Sequence, residues 1–213
     1  MTFKGWPTEA LDFYERLEAD NSKTFWHAHK GQYDDLVRAP MEALLAELEP
    51  EFGPGKVFRP NRDVRFSADK APYKTQIGAT LESGGYIQFS ADGLACANGF
   101  YHLAADQLDR YRAAVAEDVS GAELERVIAA LEEQGPTVHG RDSLKSAPRG
   151  YSKDHPRIAL LRHKGLVAWQ EWEPAKWLGT PAASTRITTF LHASQPLRDW
   201  LDGHVGPSEL PGW

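Results

Sequence analysis

Residues 58–75, FRPNRDVRFSADKAPYKT, gather Arg59, Arg62, Arg65, Lys70 and Lys74 around two carboxylates, Asp63 and Asp69. The resulting local net of +3 stands against a formal net charge of −6 for the chain. A guanidinium group presents a planar fork suited to two-point contact with carboxylate or phosphate, so the chemistry this stretch offers is recognition of a small anion. A second basic window, 141–164, sets Arg141, Lys145, Arg149, Lys153, Arg157, Arg162 and Lys164 against Asp142 and Asp154, a net of +5 that leaves −14 for the remainder. Like charge concentrated in this way repels itself unless an anion, or the chain's own carboxylates, sits between the groups. The sequence therefore predicts that the two windows meet in one concave site built from Arg59, Arg62, Arg65, Lys70, Lys74, Arg149 and His155. The competing expectation is that Arg59 and Arg65 pair with Asp63 and hold a strand edge, while the lysines are simply solvated.

Asp63, Asp69 and His155 are the candidate acid–base groups. A histidine beside arginines resists protonation and a carboxylate there stays ionised, a workable base and acceptor. The same residues suit humbler work: Asp69 before Lys70-Ala71-Pro72 is a turn former, and Asp154 or His155 can cap a following helix. No phosphate-binding glycine loop, dinucleotide fingerprint, nucleophile elbow or paired-cysteine motif occurs. The catalytic residues, the cofactor and the question of enzyme activity itself are thus left open. The eight histidines show no short ligand spacing, and no metal site is expected. Cys96, the single cysteine, lies in an alternating apolar run and reads as a buried thiol. Tyr73, Tyr151, Trp169 and Trp172 could line a pocket or stack on a base, with core packing the favoured role for whichever is buried.

Several elements must position these groups. Thr8 reads as the cap of a helix carrying Leu11, Tyr14 and Leu17, and Asn21 as the cap of a second that runs to Pro40, where a third begins. Gly53-Pro54-Gly55 then switches the pattern from period 3.6 to period 2. Phe58 to Ser67, if extended, places Phe58, Val64 and Phe66 with Arg62 on one face and the other charged residues opposite. Pro60 confines that strand to an edge or breaks it early. Strands follow around Ile77–Leu81, Ile87–Phe89 and Leu94–Phe100, with turns at Ser83-Gly84-Gly85 and Asp92-Gly93. Two helices come next, the second opened by a capping box at Ser120-x-x-Glu123 and stopped by Gly135-Pro136. A short helix starting at His155-Pro156, a strand over Leu166–Trp172, and closing helices over Pro181–His192 and Pro196–Leu201 complete the order. Separate helix and strand blocks predict an α+β fold, a mainly antiparallel sheet of five or six strands with helices on one face and at the ends. One domain over 1–213 is expected, with 204–213 an irregular tail.

The order Arg62-Asp63-Val64-Arg65-Phe66-Ser67-x-Asp69-Lys70-x-Pro72-Tyr73-Lys74-Thr75, then Pro148-Arg149-Gly150-Tyr151 and Asp154-His155-Pro156, closely resembles the family of domains of unknown function numbered 2461. Leu11-Asp12-Phe13 and Asn21-x-x-x-Phe25-Trp26 extend the likeness towards the amino terminus, and it reaches Lys164. The resemblance implies a single-domain soluble protein of a family found mostly in bacteria and fungi. It brings no activity and no cofactor.

Composition sets the remaining bounds. At 213 residues, with 41% hydrophobic and 25% charged, the chain is ordinary for a globular protein with a real core. No run approaches a membrane span and the first residues lack the apolar stretch of a signal peptide, so the cytoplasm is the expected setting. The acidic remainder disfavours nucleic acid as a partner. A small phosphate- or carboxylate-bearing ligand in a basic cleft is the functional expectation. A non-catalytic protein-interaction domain is the alternative, and a nucleic-acid-associated role comes third.

Overall fold

In a computed structural model, described over residues 2–211, the helices follow the apolar spacing. α1 (Thr8–Ala19) buries Ala10, Phe13, Tyr14 and Leu17, but Thr8 is its first residue and no side chain caps it. α2 (Lys23–Gln32) is capped by Ser22, whose Oγ accepts the Phe25 N–H at 3.0 Å; the expected cap, Asn21, is employed elsewhere. α3 (Ala39–Phe52) does not restart at Pro40. A π-helical turn, Tyr33–Arg38, joins it to α2, and the Ala39 N–H bonds back to the Asp34 carbonyl. Proline lacks an N–H and its ring crowds the carbonyl four residues earlier; the widened turn accommodates both and lets the helix pass.

The strands β1 (Gly55–Val57), β2 (Gln76–Leu81), β3 (Tyr86–Ser90), β4 (Gly93–Phe100), β5 (Thr137–His139) and β6 (Leu166–Trp172) form one sheet in the order β1-β2-β3-β4-β6-β5. The pairs β1–β2, β2–β3 and β5–β6 are antiparallel, and the fold is α+β as the block order predicted. β5 was not foreseen, because three residues are too few to show alternation. The 58–66 strand is corrected: β1 stops at Val57, Phe58 N–H still reaches the Gly78 carbonyl at 2.8 Å, and Pro60, with no donor, ends the ladder. The shared face of Phe58, Val64 and Phe66 is corrected with it. The chain turns at Arg65-Phe66 and leaves Phe66 96% exposed. The second hairpin turn falls one residue early, on Ala91-Asp92. Gly93 is held at φ +107, and a Cβ there would lie 2.2 Å from the Trp172 carbonyl oxygen, so only glycine serves.

The chain divides into two compact units. The first runs to Cys96 and includes Glu171–Phe190. Its core is centred on Trp6, which stacks on Phe89 at 4.8 Å, meets Phe3 edge-on, and donates its indole N–H to the Val37 carbonyl at 3.3 Å. Cys96 is fully buried, and burial pushes its thiol pKa up, which keeps it protonated and unreactive.

The second unit comprises Ala97–Gln170 and the chain from Leu191 onward. It contains α4 (Ala105–Ala116), α5 (Asp118–Glu132) and the single turn α6 (Ile158–Leu161). The predicted capping box is displaced by one turn: Glu117 precedes α5 and its carboxylate accepts the Ser120 N–H at 2.7 Å. The two closing helices are one, α7 (Ala182–His204), with Pro196 inside it. Burial of Leu197, Trp200 and Leu201 outweighs the roughly 3 kcal/mol that an internal proline costs. After His204 the chain is irregular through 211 yet pinned: Arg110 donates to the Val205 and Pro207 carbonyls, and Asp106 accepts from Ser208 and Glu209. The last two residues of the expected tail lie outside the described residues.

These bonds carry a pH prediction. Glu117 is lowered to about 2, chiefly by the Ser120 N–H, and Asp106 to about 2, chiefly by the Glu209 N–H. Both folded values lie below the unfolded ones, so their stabilisation is complete above the ordinary carboxylate range of about 4 and is lost as pH falls towards about 2. Melting curves across that window should fall steeply, and Glu117→Gln with Asp106→Asn should flatten the fall. An unchanged acid limb in the double variant would contradict the assignment.

Candidate functional site

The basic stretch is a loop clamped at its neck. Between β1 and β2 the chain makes an antiparallel bridge, Asn61 to Tyr73, reinforced by Arg62 N–H to the Pro72 carbonyl at 2.9 Å and Lys74 N–H to the Pro60 carbonyl at 2.8 Å. Asn21, just before α2, grips the same neck from the side. Its amide donates to the Tyr73 carbonyl at 3.1 Å and its oxygen accepts the Tyr73 N–H at 3.0 Å, so one side chain imitates a neighbouring strand. The Tyr73 ring stacks on Trp26 with centroids 4.3 Å apart. Tyr73 therefore both packs in the core and lines the site.

The tip is braced by its own charges. Arg65 makes a two-point contact with Asp63, at 2.9 and 2.7 Å, and Lys70 donates to the Val64 carbonyl at 3.1 Å. Arg62 pairs with Asp69, which also accepts the Ala71 N–H at 2.9 Å. Arg65 holds the Asp63 carboxyl below its usual range, and the Ala71 N–H followed by Arg62 does the same for Asp69. A lowered pKa weakens a general base. These two carboxylates serve as struts of the loop, and the ion-pair expectation holds for Arg65 and Asp63.

Below the tip lies an open cleft of about 560 Å³ lined by Glu18, Asn21, Arg62, Asp69, Tyr73 and Lys74, among others. One of its lining cations, Lys74, has no carboxylate against it among the described residues. Lys74 is half-buried, its stem over the Phe58 ring with the ammonium 5.3 Å from the centroid, and its pKa is lowered first by burial and then by Arg59. Arg59 is exposed and forms no hydrogen bond or ion pair among the described residues, but its charge helps to lower the Asp63 pKa. Glu18, across the cleft, is raised by burial, then by Asp92 and Glu15.

The second basic window lies in the other unit. Arg157 is structural: its guanidinium meets Glu125 at 3.0 Å and reaches the Val115, Glu117 and Asp118 carbonyls where α4 gives way to α5. The expected helix start at Pro156 is corrected, since α6 begins only at Ile158 and makes one turn. His155 instead accepts the Arg157 N–H on Nδ1 at 3.0 Å. Arg149 is exposed and without a partner among the described residues. Neither Arg149 nor His155 lines the cleft. Ser143 Oγ and His163 Nδ1 are 2.7 Å apart, and burial, with His139 beside it, lowers the His163 pKa. Among the described residues no three His, Cys, Asp or Glu side chains gather as a metal ion would need, and no helix is long and apolar enough to cross a membrane.

With this geometry in view, residues 9–200 match the family model described as conserved hypothetical protein, DUF2461. The chain belongs to that family. No curated protein matches it. Among solved structures, a conserved hypothetical protein from Pyrococcus furiosus is similar at 13% identity and a TM-score of 0.40, over 80% of this chain and 96% of that one. In this DUF2461 chain, sequence reasoning missed Asn21 and Glu18 as parts of the site. Asn21 stood in the motif Asn21-x-x-x-Phe25-Trp26, but its helix-capping chemistry concealed a long-range role. Nothing in the sequence marked Glu18.

Proposed function

We propose that this DUF2461 protein binds a small phosphate- or carboxylate-bearing ligand in the cleft beneath the basic loop. One observation carries the reading: Arg62 and Lys74 both line the open cleft, and Lys74 has no carboxylate against it among the described residues while Arg59 is near enough to lower its pKa. Burial and the Arg59 charge both disfavour the Lys74 ammonium, and an anion in the cleft relieves that cost. Arg62, tied to Asp69 through one nitrogen, keeps further donors for the same ligand. Arg65 and Lys70 are proposed contributors to capture, through the positive field they add at the surface. No reaction is assigned to the site, and a cytoplasmic setting accompanies the proposal.

Thermal denaturation with inorganic phosphate, sulfate and a panel of small carboxylates tests it. A ligand at about 100 times its Kd stabilises by about 2.7 kcal/mol, a rise in melting temperature of several degrees for a chain of this size. Lys74→Met should weaken binding at least about tenfold while leaving the ligand-free melting temperature unchanged or higher, because repulsion from Arg59 is removed. A ligand-free loss of stability in Lys74→Met, or ligand shifts indifferent to Lys74 and Arg59, would defeat the proposal. Binding to long nucleic acid that falls steeply with salt would instead favour the polyanion reading.

A further inference from the structure

The exposed Phe66 has no place in the small-ligand reading. It is 96% exposed on a braced loop, with the Arg65 guanidinium 5.8 Å from its ring centroid and Arg62 and Lys70 nearby in the chain. A fully exposed aromatic on a preorganised support is the form an interface anchor takes, since little conformational entropy is lost when it docks.

The same unit carries a socket of matching chemistry. A second open cleft, of about 700 Å³, is formed by the β3–β4 turn and the end of β6. Trp172, Leu94 and Pro174 give it apolar wall, Asp92, Glu171 and Glu173 give it negative charge, and no basic side chain lines it. Knob and socket belong to the same end of the sheet. Gln76, where the loop re-enters β2, is paired with Ser90, and Ser90 lines the socket. The Asp92 charge also reaches Glu18, which lines the cleft under the loop. Complementary patches lying side by side on one protomer can meet twice across a two-fold axis, each loop entering the other copy's cleft.

We propose that this protein forms a two-fold homodimer in which Phe66 of each copy docks against Trp172 and Pro174 of the other, with the loop cations facing Asp92, Glu171 and Glu173. The two surfaces are opposite in sign: Arg62, Arg65 and Lys70 outnumber Asp63 and Asp69 at the loop tip, and the cleft is lined by carboxylates with no basic side chain. Such an interface, one apolar anchor with a charged rim, associates with a Kd on the order of 10 µM and weakens as salt rises.

Sedimentation equilibrium on the full chain, from about 1 to about 500 µM, is the test. The wild type should associate, and Phe66→Ser should raise the Kd at least about tenfold; with the ring already in solvent, that variant should melt as the wild type does. Arg65→Glu and Glu173→Lys should each be monomeric alone and should associate when mixed, because the mixed pair restores one contact and retains the other. A wild type that stays monomeric throughout overturns the proposal. So does association indifferent to Phe66, or two charge variants that fail to recover on mixing. A monomer that instead co-sediments with phosphatidylserine vesicles in a Phe66-dependent manner overturns it too, and assigns the loop to an anionic surface.

Discussion

Replacing Trp6 by Ala is expected to cost about 3–5 kcal/mol, the range for removing a large aromatic from a core, and to lower the melting temperature by roughly 10 °C or more. Trp6 is 1% exposed and joins three elements: its ring stacks on Phe89 of β3, its indole N–H reaches the Val37 carbonyl in the π-helical turn, and its own N–H bonds to the Leu178 carbonyl at 2.7 Å. The truncation leaves a cavity and an unsatisfied carbonyl together. Trp6→Phe keeps much of the packing and loses only the indole bond, so it should cost nearer 1–2 kcal/mol. Denaturant unfolding of the two variants separates these contributions. A cost below about 1 kcal/mol for the alanine would mean that Trp6 is not the centre of its unit.

Asn21→Ala should have the second largest effect, about 2–3 kcal/mol, and a local one. It strips both backbone groups of Tyr73 of their partner at a half-buried position, and leaving buried polar groups unpaired costs more than a bond gains. The neck of the basic loop loses its lateral grip, so the Tyr73 and Lys74 amides should exchange with solvent sooner than those of β2 and β3. Anion binding should weaken with it, because Lys74 and Arg62 flank the loosened residue. Asn21→Asp retains an acceptor for the Tyr73 N–H but sets a second oxygen against the Tyr73 carbonyl, so it should not rescue. Hydrogen exchange followed residue by residue decides the matter: uniform loosening of the whole unit, or no change at the neck, would remove Asn21 from its role as a clamp.

The sequence determined what depends on neighbours in the chain. Periodicity placed the apolar faces of α1 and α3, the hairpin signal joined β3 to β4, the basic windows were visible as composition, and the ordered motifs carried the family. Cys96 was legible as a buried thiol because its alternating neighbours are apolar. Tertiary structure decided wherever a local preference had a distant competitor. Asn21 is as good a helix cap as Ser22, and only the arrival of Tyr73, 52 residues later, assigns it to the loop. Pro40 and Pro196 are helix breakers by local rule, yet a π-helical turn absorbs the first and buried Leu197, Trp200 and Leu201 hold the helix through the second. Phe66 alternates as a core residue should, but Pro60 ends the strand and the Asp63–Arg65 brace turns the ring into solvent. Charge behaved in the same way. Which cations are spent on carboxylates and which face a cleft depends on where the loop folds back, and five basic residues in one stretch came out divided between struts, the exposed Arg59 and the half-buried Lys74 that lines the cleft.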